Sequence, residues 1–267
     1  MKTKLLSIIF IAIIAAAGTA CATVDAYTSY SSAFKKTNQI TSTEYDTTVK
    51  VTVDGQTTEA TGNFKIRDIT SNVNFINEMY IDGRKSIQFC DGEYIYIDSE
   101  DEKLKFKIGE QPENAQRERG DFSMDSYISE FFMLLDASKI KDIKIADMVT
   151  QNIVEKIVKT DVSNGTEYEL TLAPQLVDEI FESTLKEQLG EANAPTCTLK
   201  SFTYKASANK DKYITSITYI IDMDTVFPME LTGESADSTK SIQLEVKLDY
   251  VNPGTAAEFS LPSTNGF

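Results

Sequence analysis

The chain has 267 residues, 26 Lys and Arg against 41 Asp and Glu, a net charge of −15 and no histidine. That balance excludes nucleic acid as a partner, because binding a polyanion needs a basic patch that releases counterions, and it argues against a peripheral protein held to anionic headgroups by charge. The missing histidine removes every His-based triad, every Cys–His dyad and most zinc sites.

Residues 1–22, MKTKLLSIIFIAIIAAAGTACA, read as an export signal. Lys2 and Lys4 form a basic start, Leu5 to Ala17 an apolar run, and Gly18-Thr19-Ala20 the small residues that a signal peptidase needs. This thirteen-residue run falls short of the roughly 20 that cross a bilayer as a helix, and no later segment approaches that length. Cys21 directly after Gly-Thr-Ala resembles the lipobox of bacterial lipoproteins, although Gly18 stands where those usually carry Leu. Ordinary cleavage after Ala20 or Ala22 is the alternative, since Ala20-Cys21-Ala22 also satisfies the A-x-A rule. Acylation of Cys21 would anchor the protein to the cell membrane from outside; without it the protein is secreted. Loss of residues 1–20 removes two lysines and leaves a net charge of −17.

Residues 23–267 suit a single domain with ample core, and the 41% hydrophobic content fits a folded globule. Asp25 to Ile40 places Tyr27, Tyr30, Phe34 and Thr37 at helical spacing, which predicts a short amphipathic helix starting almost at Cys21. With no long Ser/Gly tether, an anchored form would sit close to the bilayer.

From Thr43 the apolar period becomes two. Tyr45, Thr47, Val49, Val51 and Val53 lead to the hairpin dipeptide Asp54-Gly55, and Ala60, Gly62, Phe64 and Ile66 line the returning strand. Val73 to Ile81, Ser86 to Cys90, Glu93 to Asp98 and Lys103 to Ile108 continue an antiparallel meander through Asp82-Gly83 and Asp91-Gly92. Residues 109–122 carry no periodicity and read as an exposed connection between two strand-rich halves. Met124 to Ala137, with Tyr127, Ile128, Phe131, Phe132, Leu134 and Leu135, predicts a second helix.

The second half repeats the scheme. Asn152 to Asp161 and Thr166 to Leu172 flank Asn164-Gly165, read as a type I′ turn. Pro174 to Leu189, with Leu176, Val177, Ile180, Phe181 and Leu185 on one side, predicts a third helix ended by Gly190. Strands follow at Cys197 to Ala206, Tyr213 to Asp224 and Lys240 to Val251, and Glu258 to Leu261 is expected as a closing edge strand. Cys90 and Cys197 could pair or remain separate buried thiols; a chain this long needs no staple, which favours the second.

The expected fold class is α+β: one curved antiparallel sheet of about 11–12 strands, an unclosed barrel, with helices packed on its concave face. The order of elements resembles the LolA/LppX-like superfamily of extracytoplasmic lipoproteins, including Gram-positive members. The resemblance lies in a helix just after the Cys, AYTSYSSAFKKTNQI, in hairpins such as MYIDGRKSIQFCDGEYIYID, and in the ending YVNPGTAAEFSLPS. It implies an apolar cavity for acyl chains under the helices, and these motifs are architectural rather than catalytic.

Acidic groups are read as surface. Asp222 and Asp224 share one side of a strand and could bind calcium or perturb one another's ionisation, but a solvated face is the plainer reading. Ser99 to Lys103, SEDEK, lacks EF-hand spacing and reads as a turn. Candidate cavity residues are Met79, Phe89, Tyr94, Tyr96, Phe106, Ile128, Phe131, Phe132, Leu135, Ile180 and Phe181, apolar and adaptable groups of the kind that line lipid sites. The expectation is therefore a non-enzymatic, exported protein, acting as a monomer without cofactor or metal, that binds or carries a hydrophobic acyl or lipid ligand. A cell-envelope interaction or structural module with a filled core is the alternative.

Overall fold

The computed structural model describes residues 24–40, 42–67, 73–81, 83–100, 103–108, 154–172, 196–227 and 237–267. The export signal with Cys21, the connection at 109–122 and the helices expected at 124–137 and 174–189 lie outside the described residues.

Helix α1 spans Val24–Asn38. Ala26, Tyr30, Ala33, Phe34 and Thr37 are buried along one side of it, as the three- and four-residue spacing requires. The strands are β1 (Thr43–Val53), β2 (Gln56–Arg67), β3 (Asn74–Ile81), β4 (Arg84–Cys90), β5 (Tyr94–Ser99), β6 (Lys103–Lys107), β7 (Val154–Val162), β8 (Gly165–Leu172), β9 (Thr196–Asn209), β10 (Ile214–Phe227) and β11 (Ser238–Tyr250).

All eleven form one sheet in the order β6-β5-β4-β3-β2-β1-β11-β10-β9-β8-β7, curved and not closed into a barrel. Each half is a meander of neighbouring strands. Among the described strands the halves are joined edge to edge at β1 and β11, which pair antiparallel from Tyr45↔Tyr250 to Val53↔Ile242. At this seam Val49 faces Val246 and Val51 faces Leu244, so the buried rows of the two halves fall on the same side of the sheet. That side is the one on which α1 packs, and it is called the inner face below.

The Asp54-Gly55 turn has φ values of 49° and 86°, the pair of positive angles that a two-residue type I′ hairpin demands. Asn164-Gly165 differs from the expectation. Val162 pairs with Gly165, so Ser163 and Asn164 form the corner, and neither is among the residues with positive φ. Gly165 instead begins β8 and lies against β9, where an added Cβ would sit 1.9 Å from the Ala208 carbonyl oxygen. Its small size serves a close backbone approach rather than a turn.

Glu258 to Leu261 is not a strand. The chain leaves β11 at the centre of the sheet, where both β11 edges are already taken by β1 and β10, and the sheet edges β6 and β7 are far away in strand order. The segment crosses the sheet instead, held by Ser42 Oγ donating to the Ala257 carbonyl (2.9 Å) and Arg67 Nη1 donating to the Phe259 carbonyl (3.2 Å).

Cys90 and Cys197 are not joined by a disulfide. Cys90 is buried on the inner face and its thiol donates to the Val73 carbonyl at 3.4 Å, while Cys197 is half-buried rather than fully buried as expected.

Replacing Gly165 by Ala forces β8 away from β9, and we expect a loss of about 1–3 kcal/mol, the usual cost of overpacking. Denaturant unfolding of Gly165→Ala against the parent chain measures it.

Candidate functional site

The inner face is mostly apolar, with Thr47, Asn77, Gln88 and Thr225 as its buried polar side chains. Its larger cluster gathers α1 with β1, β7, β8, β9, β10 and β11 and with Ala60 of β2 and Met79 and Ile81 of β3; a smaller one gathers Phe64, Ile66, Val73, Phe75, Cys90 and Ile95. Tyr45 packs against both. Aromatic rings carry the contact across the seam: Tyr45 lies 5.8 Å from Tyr250 and stacks on Phe64 at 5.0 Å, and Phe64 stacks on Phe75 at 5.7 Å.

Tyr30 anchors the helix to the second half. Its ring stands edge-on to Tyr168 (5.6 Å) and Tyr204 (5.8 Å), and its hydroxyl donates to the Tyr204 hydroxyl at 2.7 Å. Thr37 finishes the docking: its hydroxyl donates to the Ala33 carbonyl and accepts the Ile214 N–H at 2.8 Å, which ties the end of α1 to the start of β10. Lys36 donates to the Asp211 carbonyl and lies 4.1 Å from the centre of the Tyr213 ring.

Burial pushes the phenols of Tyr30, Tyr45, Tyr204 and Tyr219 well above their ordinary value near 10, and that of Tyr250 up to about 12. These groups stay neutral at ordinary pH and form largely apolar walls, with the Tyr30 hydroxyl donating to that of Tyr204. Among the described residues no group of three His, Cys, Asp or Glu side chains could hold a metal ion. Two amides, Asn77 on β3 and Gln88 on β4, are buried on the same face and pair directly across strands.

The expected cavity residues divide. Met79 is buried on the inner face, and Phe106 lies there half-buried opposite Ile95. Phe89, Tyr94 and Tyr96 project from the opposite face, because Cys90, Gln88, Ile95 and Ile97 take the inward positions of β4 and β5. Ile128, Phe131, Phe132, Leu135, Ile180 and Phe181 lie outside the described residues. The spread over two faces has a local cause: IQFC and YIYI are apolar at nearly every position, so they carry no alternation from which to assign a side. Asn77 and Gln88 are functional candidates that polarity alone does not mark as inward; the sequence signal for them is their parity with Met79 and Cys90.

The acidic candidates sit on the opposite face in cross-strand pairs. Asp222 accepts from Ser201 Oγ (2.7 Å) and Gln243 Nε2 (2.8 Å), and Asp224 pairs with Lys200 at 2.6 Å. In the SEDEK stretch Lys103 meets Asp98 at 2.9 Å. Their partners are lysines and amides of neighbouring strands, which is a surface arrangement.

No family model and no curated protein matches the chain. It is similar to the solved structure of lipoprotein LppX from Mycobacterium tuberculosis, at 10% identity over 85% of this chain and 97% of that one, with a TM-score of 0.38. A DUF1329 family protein from Desulfovibrio piger is similar at 10% identity over 84% and 90% of the two chains, TM-score 0.27. A LolA superfamily protein from Nitrosomonas europaea is similar at 10% identity over 86% and 94%, TM-score 0.25.

The buried phenols set a limit at high pH. Folded, they titrate above their unfolded value of about 10, so the stability they contribute is intact below that pH and is lost as pH rises past it. Alkaline titration should show phenolate absorbance from Tyr30, Tyr45, Tyr204 and Tyr219 only together with loss of the β-sheet circular dichroism signal.

Proposed function

We propose that this chain is an exported, membrane-anchored lipoprotein that binds an acyl chain or similar lipid against the inner face of its sheet. One observation carries the reading: the apolar inner face continues unbroken across the β1–β11 seam of a curved sheet that does not close on itself. An apolar wall with few polar groups is what a lipid tail requires. The Asn77–Gln88 pair supplies amides on that wall that suit an ester or carboxyl end, and Met79, one pair further along β3, supplies an adaptable contact. The solid-core alternative would use the same face for packing alone.

Anchoring is the second part of the proposal. Acylation at Cys21 would leave three residues before the start of α1 at Val24, so the sheet would stand directly at the membrane surface, near any lipid it takes up. The absent charge attraction to anionic headgroups makes the thioether the holding force, since two or more acyl chains give stable attachment where one does not.

Protein purified from its own host without delipidation should release about one acyl lipid per chain on denaturing mass spectrometry. Protein free of any bound lipid would sink the carrier reading and favour the filled-core module. Separately, Cys21→Ser should move the protein from the membrane fraction to the medium, with the intact mass of the parent showing the added acyl groups; an unchanged distribution would remove the anchor.

A further inference from the structure

The face opposite α1 carries charged cross-strand pairs, yet Phe89 and Tyr96 on that face are only 1% and 3% exposed. They are direct partners on β4 and β5, with rings 4.7 Å apart and 9° from parallel. What covers them is Phe267. Its ring stands 5.8 Å from Phe89 at 88° and 5.3 Å from Tyr96 at 81°, nearly perpendicular to both rings of the stack. That is the arrangement the ring quadrupoles favour. Lys103 Nζ lies 5.0 Å from the Phe267 ring centre and is itself held by Asp98 at 2.9 Å.

The seat is stiff. The Tyr96 hydroxyl donates to Asp91 Oδ2 at 2.9 Å, and Asp91 Oδ1 accepts the N–H groups of Glu93 and Tyr94 at 2.9 and 2.8 Å. The segment that brings Phe267 there is not stiff in this way. Residues 256–264 form no strand, and 258, 260 and 263–266 are exposed. Between β11 and Phe267 the segment is fastened at Ala257 and Phe259 through Ser42 and Arg67, with the Arg67 guanidinium 4.9 Å from the Phe259 ring centre. A preorganised aromatic seat filled by an irregular segment held at two backbone carbonyls has the layout of a peptide-binding site occupied by an attached ligand, where the tether supplies a high effective concentration.

We propose that the outer surface of β4–β5 is a docking site for an aromatic side chain presented on an extended peptide, and that the segment following β11 is its resident occupant through Phe267. Phe89 and Tyr96 form the seat, Lys103 closes over the bound ring, and Arg67 and Ser42 take backbone carbonyls upstream. The site lies on the opposite side of the sheet from the lipid-facing surface and does not depend on the lipid reading.

A labelled peptide with the sequence of residues 257–267 tests the site on the full chain. The Phe267→Ala chain, its seat vacated, should bind the peptide saturably, and the parent chain about tenfold more weakly because its own segment competes. The same peptide with Ala at its final position should not bind, and Phe267→Ala should be cut faster by protease within 252–266 while α1 and β9–β10 keep their hydrogen-exchange protection. Equal binding to both chains, or none to either, overturns the proposal. Loss of cooperative folding in Phe267→Ala also overturns it, since the ring would then be a piece of the core; Lys103→Gln, which leaves the rings in place, should still weaken peptide binding in the Phe267→Ala background, and an unchanged affinity would remove Lys103 from the site.

Discussion

The register in which β1 meets β11 is the constraint on which the rest of this molecule depends. Each half of the chain is a meander that could form by itself, because neighbouring strands in sequence are neighbours in space. Only the Tyr45↔Tyr250 to Val53↔Ile242 pairing makes them one sheet. A slip by one residue there would turn the buried row of one half to the charged side of the other. In the observed register Val49, Val51, Val246 and Leu244 form the middle of an apolar surface that extends both ways. The continuity of that surface is therefore a property of one strand pair.

Helix α1 converts that surface from a sheet face into an interior. Its contacts are concentrated on the second half, through Tyr30 on Tyr168 and Tyr204 and through Thr37 on β10. The buried tyrosines give a mixed character: large apolar bodies that fill space, and hydroxyls that must find partners, as Tyr30 does with Tyr204. On the first half the inner face carries a different pairing, the Asn77–Gln88 amides beside Met79, Phe75 and Ile95. The two ends of one wall thus differ in chemistry, a useful asymmetry for a ligand with a tail and a polar end.

The opposite face follows other rules. Most of it is an exchange of charges between adjacent strands, Lys65 with Glu44, Lys200 with Asp224, Lys205 with Glu169, the first half-buried, the other two more exposed and each weakly stabilising. The aromatic seat on β4–β5 interrupts this pattern. Phe89 and Tyr96 would be an exposed apolar patch at the narrow end of the sheet if nothing covered them, and such patches are where soluble proteins bind things. The segment after β11, denied a free strand edge by its exit from the sheet centre, covers them.

Much of this was readable from residues alone. The two-residue rhythm placed most of the described strands, because a half-buried antiparallel strand leaves that imprint wherever one side is wet; the Asp-Gly turns that precede β4 and β5 marked out their apolar runs, and the helical spacing of Tyr30, Phe34 and Thr37 located α1 and its buried side. Asp54-Gly55 announced its turn because positive φ at two successive residues is a local demand. What stayed hidden was non-local. YIYI and IQFC could not show which residues face inward, since with apolar groups at adjacent positions only the neighbouring strands set the parity, and so Phe89, Tyr94 and Tyr96 were grouped with Met79 when the sheet puts them on its other side. The role of Gly165 depended on how near β9 runs, and the path of Glu258 to Leu261 on which edges were already occupied. Sequence determines what a strand does to its own side chains; the company each strand keeps, and therefore which surface is wall and which is seat, is decided only when distant segments pair.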